Sequence, residues 1–402
     1  MKSSIHTDHE KSRSRKLAIV VSHPIQYYSP WFRFIQENTN LNLKVFYLWN
    51  FGTTETRDEG FGQSLKWDVP LLEGYSYEFV PNRSSNPGTS SFGGLDNPLL
   101  LSAIQSFAPD AVLCYGYAWK SMVNLIRKRP RHLPIIMRGD SHDLVANSKQ
   151  SFAAWIKQRF VKHLLHRCNA MLAVGVANKQ FYLSKGIESK RIFLAPHCVD
   201  NSRFASARDE EQRIFVRTNL GVEKDEVVFL FVGKLQSKKR PDLLIEAMHK
   251  CECKNAVLWI VGTGELEESL KNRVASNDKI RFLGFKNQTE LPEIYNAADC
   301  IVLPSQGPGE TWGLVINEAM NLGCVPIVSD HVGCHLDLVR PGENGWVVRA
   351  GSVESLTEAL RAACTDAARL KRYSDRSLEV IKDYSYEAAT RGLLQAVDFV
   401  AP

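Results

Sequence analysis

No stretch of this sequence approaches the roughly 20 consecutive apolar residues that a membrane-spanning helix needs, so an integral membrane protein is not expected. The opening residues, "MKSSIHTDHEKSRSRK", are polar and lack an apolar core, which argues against a secretory signal; residues 1–15 read as a disordered basic tail. Cysteine occurs nine times but never at zinc-type spacing. Cys251 and Cys253 stand too close for a C-x2-C knuckle, and Cys324 and Cys334 lie apart from any paired histidines. Such thiols fit reduced, mostly buried residues of a cytosolic protein. Solenoid-length repeats and low-complexity tracts are missing. No helix-turn-helix, zinc or RNA-recognition signature accompanies the basic residues, which sets nucleic-acid binding aside.

What is present is a globular composition, 44% hydrophobic and 23% charged, in 402 residues, a length that favours two domains over one core. Charge is unevenly spread. Residues 1–203 hold 26 Lys and Arg against 15 Asp and Glu, whereas residues 204–402 hold 24 against 29. The N-terminal half is therefore expected to face something anionic, such as a phosphate-bearing substrate or a membrane surface.

Short apolar runs alternate with amphipathic segments. "KLAIVV", "LKVFYL", "AVLCY", "PIIMR" and "AMLAV" precede residue 200; "VVFLFV", "AVLWIV", "IRFLGF", "CIVLP" and "CVPIV" follow it. Continuous apolar runs of this length predict strands buried on both faces of parallel sheets. The pattern pauses over a charged helical stretch and restarts. This predicts two Rossmann-like, doubly wound α/β domains facing across a cleft: residues 16–205 and 226–385, a linker over 206–225, and a C-terminal helix over 386–402 packing back on the first domain. Ligands of such sheets sit beyond the carboxyl ends of the strands, so residues directly after each strand are the candidates.

Three segments qualify. In "VVFLFVGKLQSKKRP", Gly233 permits a tight turn, and Lys234 and Lys239 place ammonium groups suited to a diphosphate; a solvated basic loop is the plain alternative. In "AVLWIVGTGELEESL", Gly262 and Gly264 form a Gly-x-Gly turn without the third glycine, for which tight strand-to-helix packing is the favoured explanation. In "PSQGPGETWGLVINEAMNLGCVPIVSD", a helix is expected from about Trp312 through Leu322, with Gly323 as its C-cap. The amides of Gly313, Leu314 and Val315 would then face an anion. Glu318 lies one turn beyond Leu314, about 6 Å along the axis, a step that suits ribose hydroxyls. Glu310, ahead of the helix, would reach the far side of the phosphates. Dipole complementation for Glu310 and a surface glutamate for Glu318 are the bland readings, though "LVINEAM" is an apolar setting.

The Gly233-Lys234-Leu235 turn with Lys239, the Gly-x-Gly turn, "IRFLGF", "YNAADCIVLPS" and the Glu-x7-Glu spacing of Glu310 and Glu318 resemble the retaining glycosyltransferases of family 4, which have the GT-B fold. "PHCVDNSRF" and "CVPIVSDHVGCHLDLVRPGENGWVV" are similar to that family's linker entry and closing strand-loop-strand. The likeness runs over most of residues 190–385 and is looser over 17–180. It implies an enzyme that moves a sugar from a UDP- or GDP-linked donor to a hydroxyl of a glycan or lipid-linked acceptor, as in surface polysaccharide or glycolipid synthesis. By the same resemblance, Lys234 and Lys239 neutralise the diphosphate and Glu318 binds the ribose. Glu310 and the amides of Trp312, Gly313 and Leu314 contact the sugar, and Phe285 and Lys286 lie near the base. Configuration is retained, and neither a metal nor a cofactor is required; the sequence contains no Asp-x-Asp pair. A GT-B sugar-nucleotide epimerase or a non-catalytic nucleotide-sugar-binding partner are the alternatives.

The sequence departs from the family in two places. After the first strand it has Ser22 and His23 instead of a Gly-Gly loop; His23 either meets the phosphate or acceptor or packs under the loop. After "PIIMR" come Asp140 and His142, one of which is expected to contact the sugar near C6 or the acceptor; a loop-capping pair is the alternative. Finally, residues 152–168 read as an amphipathic helix with Phe160, Val161, Leu164, Leu165 and Cys168 on one side. Trp155, Arg159, Lys162 and Arg167 would face an anionic membrane, unless that face is simply solvated. Residence in the cytoplasm, with peripheral contact to the inner face of the cytoplasmic membrane, is the matching expectation.

Overall fold

The structure, a computed structural model, describes residues 14–53, 56–58, 63–65, 67–145, 152–274 and 277–402. Residues 1–13 of the expected tail lie outside these. Ser14 and Arg15 do not fit a disordered tail: the Ser14 hydroxyl donates to the Asn40 carbonyl at 2.8 Å, and Arg15 pairs with Asp398.

Two parallel sheets form the framework. The first has seven strands in the spatial order Ser76–Phe79, Asn42–Tyr47, Lys16–Val21, Ala111–Tyr115, Ile135–Gly139, Ala170–Ala173, Ile192–Leu194. The second has six, ordered Ile280–Gly284, Ala256–Val261, Val227–Val232, Cys300–Leu303, Val325–Ser329, Trp346–Val348. Central strands such as Ala111–Tyr115 and Ala256–Val261 are buried at every position, because helices cover both faces and no residue of an apolar run meets water. In each sheet the order reverses beside the first strand of the domain, and crevices open there at the carboxyl ends of the strands.

Two connections tie the halves together. The segment 206–225 is not a bare linker. It contains the helix Glu210–Asn219, whose Arg213 donates to the carbonyls of Asn296 and Ala298 and whose Arg217 pairs with Asp299 at 3.0 Å, so this helix belongs to the second domain. The C-terminal helix Tyr386–Val400 crosses back to the first domain, where Tyr386, Ala389, Leu393, Ala396 and Val397 join the core. Gly392 allows this approach, since a Cβ there would stand 1.9 Å from the Leu194 carbonyl oxygen. Asp337 of the second domain accepts the Val176 N–H of the first through both oxygens, at 2.9 and 3.1 Å. Burial raises its pKa to about 6.

Among the described residues no helix is long and apolar enough to cross a membrane. The helix Phe152–His166 buries only Val161, Leu164 and Leu165 along its own length. Phe160, grouped by spacing on one side with Val161, Leu164 and Leu165, is instead exposed. Arg167 is likewise committed: its guanidinium donates to the carbonyls of Ile126 and Arg127.

Candidate active site

The loop after strand Val227–Val232 is built by close main-chain packing. A Cβ on Gly262 would lie 2.0 Å from the Gly233 carbonyl oxygen, and one on Gly264 would lie 2.7 Å from that of Leu235. The Gly-x-Gly turn thus supports the Gly233-Lys234-Leu235 loop from below, and Leu235 N–H donates to the Thr263 carbonyl at 2.9 Å. The 3-10 turn Ser237–Lys239 follows, and then the helix Pro241–Cys251. The turn separates its cations by direction. Lys238 is exposed and Arg240 is held by Asp242 and Gln306, while Lys239 turns inward and pairs with Glu310. Lys234 is half-buried in the same loop.

Glu310 also accepts from the Ser305 hydroxyl at 3.0 Å. The adjoining residue, Thr311, donates its hydroxyl to Asp140 Oδ2 at 2.7 Å, so the strand end of the first domain meets the Glu310 loop across the cleft. His142 completes this corner. Its Nδ1 accepts the Leu144 N–H at 3.3 Å, and the ring also faces the Glu310 main chain. Burial lowers its pKa, with the Glu310 main chain and the Asp140 carboxylate opposing, so the ring stays neutral near pH 7. Lys239, Glu310, Asp140 and His142, scattered over 170 residues of sequence, converge at one place.

The helix expected from Trp312 is shorter, Leu314–Met320. Gly313 ends it at the N-terminal side in a left-handed conformation (φ 97°), where a Cβ would also strike Leu303 at 2.7 Å. The Trp312 side chain does not line the cleft as a donor contact. Its indole N–H donates to Asn317 Oδ1 at 2.7 Å, and its ring packs on His197 and against Gly175, wedging the domains together. Among the described residues, the amides of Trp312, Gly313 and Leu314 donate to no hydrogen-bond acceptor.

Glu318, four residues into that helix, is fully buried. The Tyr295 hydroxyl donates to its Oε2 at 2.6 Å, but Oε1 has no hydrogen-bond partner. Burial raises the carboxyl pKa to about 7, against the lowering effects of Tyr295, the nearby Arg203, and the Tyr27 and Gln288 side chains that face it. The carboxyl borders a cavity of about 100 Å³ shared with Gln26, Tyr27 and Arg33 of the first domain and with Arg203 and Gln288.

The remaining candidates are placed differently. Lys286 pairs with Glu290 at 2.9 Å, and Phe285 is half-buried beside it. Ser22 is buried with its hydroxyl 3.0 Å from His23 Nδ1, and the His23 ring stands edge-on to Trp49 and Phe51 in an aromatic corner of the first domain. Tyr27, Arg203, Gln288, Tyr295 and Thr311 complete the site without having been singled out in the sequence. Tyr295 sits in "LPEIYNA", where an apolar stripe hides its hydroxyl.

Both sheets, their helical layers and the cleft between them are those of the GT-B fold. The crystal structure of Anabaena HepE in complex with UDP superposes with a TM-score of 0.72 over 96% of this chain and 99% of that one, at 17% identity. Residues 212–380 match the family described as glycosyl transferases group 1. An uncharacterized glycosyltransferase of Methanocaldococcus jannaschii is 38% identical over 142 residues, 34% of this chain and 36% of the relative. The D-inositol 3-phosphate glycosyltransferase of Geodermatophilus obscurus is 35% identical over 191 residues, 44% of this chain and 41% of the relative. The chain therefore spans about two-fifths of the length of these curated relatives.

Proposed function

We propose that the protein is a glycosyltransferase that takes a sugar from a nucleoside-diphosphate donor in the interdomain cleft and passes it, with retained configuration and without a divalent metal, to a hydroxyl of a glycan or lipid-linked acceptor. The observation that carries this reading is Glu318. It is a carboxylate buried at the domain junction and bordering a cavity between the domains, and a vicinal diol is a ligand group that donates two hydrogen bonds to such an acceptor. Lys239 and Lys234 then meet the diphosphate, and the unbonded amides from Trp312 to Leu314 add donors to it or to the sugar. As the donor bond breaks, negative charge grows on the diphosphate, and cations already held in position stabilise it without reorganising. Asp140, His142 and Glu310 surround the sugar, and the neutral His142 can exchange a hydrogen bond with a sugar or acceptor hydroxyl. Because a structural neighbour was crystallised with UDP, a uridine donor is the first to test. Calorimetric titration with UDP and GDP, followed by nucleoside-diphosphate release from a panel of nucleotide sugars, tests the reading; failure to bind either nucleotide refutes it.

The acceptor side carries a second feature. Phe152 (76% exposed), Trp155 (53% exposed), Ile156 and Phe160 form an apolar ridge, and Arg159 stacks over Trp155 at 5.1 Å. With Lys162 alongside, this ridge suits peripheral contact with an anionic bilayer, consistent with a lipid-linked acceptor in polysaccharide or glycolipid synthesis. Sedimentation with anionic vesicles that is unchanged by Trp155→Ser and Phe160→Ser together would remove this part.

A further inference from the structure

We propose that Cys251, Cys253 and Cys364 form a three-thiolate site for a thiophilic divalent cation of the zinc class, on the second domain and away from the cleft. Spacing alone argued against any such site, because Cys251 and Cys253 are one residue apart and Cys364 is more than a hundred residues further on. The fold removes that objection. Helix Pro241–Cys251 ends at Cys251, and Glu252 turns the chain through a left-handed conformation (φ 55°) that brings Cys253 back. Helix Val353–Thr365 lays its last turn alongside and presents Cys364. The three sulfurs all lie within 4.8 Å of one another. Zinc–sulfur bonds of about 2.3 Å in a tetrahedral site place sulfurs about 3.8 Å apart, so the thiols need move only slightly to share an ion.

The surroundings hold this geometry independently of the sulfurs. Arg361 donates through Nε to the Cys251 carbonyl at 3.1 Å and through a terminal nitrogen to the Lys250 carbonyl at 2.5 Å. Asn255 donates to the Cys364 carbonyl at 3.3 Å. Two helix carboxyl ends converge here, and their partial negative charge favours a cation. Three thiolates and a divalent ion sum to one negative charge, which the Arg361 guanidinium offsets. Cys251 is buried, whereas Cys253 and Cys364 are half-buried, which leaves an open side for metal entry and for a fourth ligand such as water. The ion would clamp the far end of the helix Pro241–Cys251, about 16 Å along its axis from the end that follows the Lys239 turn, and so would stabilise the donor-side framework without touching substrate.

The test uses the full-length chain, reduced, stripped with a chelator and kept free of oxygen. Titration with Cd²⁺, followed by thiolate-to-metal charge-transfer absorption, should saturate at one equivalent, be reversed by excess chelator, and raise the melting temperature. Cys364→Ser and, independently, Cys253→Ser should each weaken Cd²⁺ binding by about tenfold or more and lose the thermal shift. If Cys364→Ser does not fold, the half-buried Cys253→Ser decides. The proposal is overturned if the wild-type chain shows no saturable absorption, if Cys253→Ser binds as tightly as wild type, or if two of these cysteines form a disulfide and the reduced chain still takes up no metal.

Discussion

Donor binding should depend on pH through Glu318. Burial lifts this carboxyl to about 7, from an ordinary value of 4.5. If the ribose diol donates to the carboxylate, only the ionised form binds, and affinity falls about tenfold, or about 1.4 kcal/mol, for each pH unit below about 7. A nucleoside-diphosphate sugar is the ligand to use, because its diphosphate is esterified at both ends and does not titrate in this window. Titration calorimetry at intervals from about pH 8 to about pH 5.5 reads the slope. Glu318→Gln should weaken binding at pH 8 by about tenfold to a hundredfold, the worth of a hydrogen bond to a charged acceptor, and should flatten the profile. The ligand-free protein should respond with the opposite sign. A carboxyl whose folded pKa is raised contributes stability that is fully present below its ordinary value and is lost as pH rises through about 7. Relative to Glu318→Gln, the wild-type chain should therefore gain about 1.4 kcal/mol between pH 8 and pH 6 in denaturant unfolding. A flat wild-type binding profile, or an equal slope in the glutamine variant, would falsify the assignment of Glu318 to the donor.

Other outcomes follow from the same geometry. Glu310→Ala should abolish transfer, by on the order of a thousandfold or more in kcat, while leaving nucleotide affinity largely intact; a large loss of UDP affinity instead would make Glu310 a binding group. Lys239→Ala should lower both affinity and turnover, and unchanged steady-state kinetics would reduce this lysine to a local partner of Glu310. Thr311→Val removes the hydroxyl that reaches Asp140 across the cleft and should lower kcat/KM by about tenfold, with little change in melting temperature. Gly262→Ala has no room for its Cβ against the Gly233 carbonyl and should destabilise the chain by more than about 2 kcal/mol in denaturant melts; a neutral result would mean the loop relaxes freely.

Much of the framework is legible in the chain itself. The central strands announce themselves because a strand covered on both faces must be apolar at every position, as in "AVLCY" and "AVLWIV". The edge strand Ser76–Phe79, "SYEF", left no such run, since an edge strand has one neighbour and keeps residues in water, and Ile192–Leu194 is apolar but only three residues long. Local chemistry could also be read: Pro241 opening a helix, lysines after a strand, and a glutamate set among apolar residues. Direction could not. Lys238, Lys239 and Arg240 are near equivalents in sequence, and only the packing of the 3-10 turn against the Gln306 loop turns Lys239 inward.

The layered α/β architecture is written into the local pattern of the chain, because burial periodicity is a local property of each element. Tertiary structure alone decided which distant groups meet: Thr311 with Asp140, Tyr295 with Glu318, and Cys364 with Cys251 and Cys253. It also decided that Trp312 wedges the domains and that Phe160 is exposed. Such pairings depend on how whole helices and sheets stack, and no spacing along one chain segment records where another segment will lie.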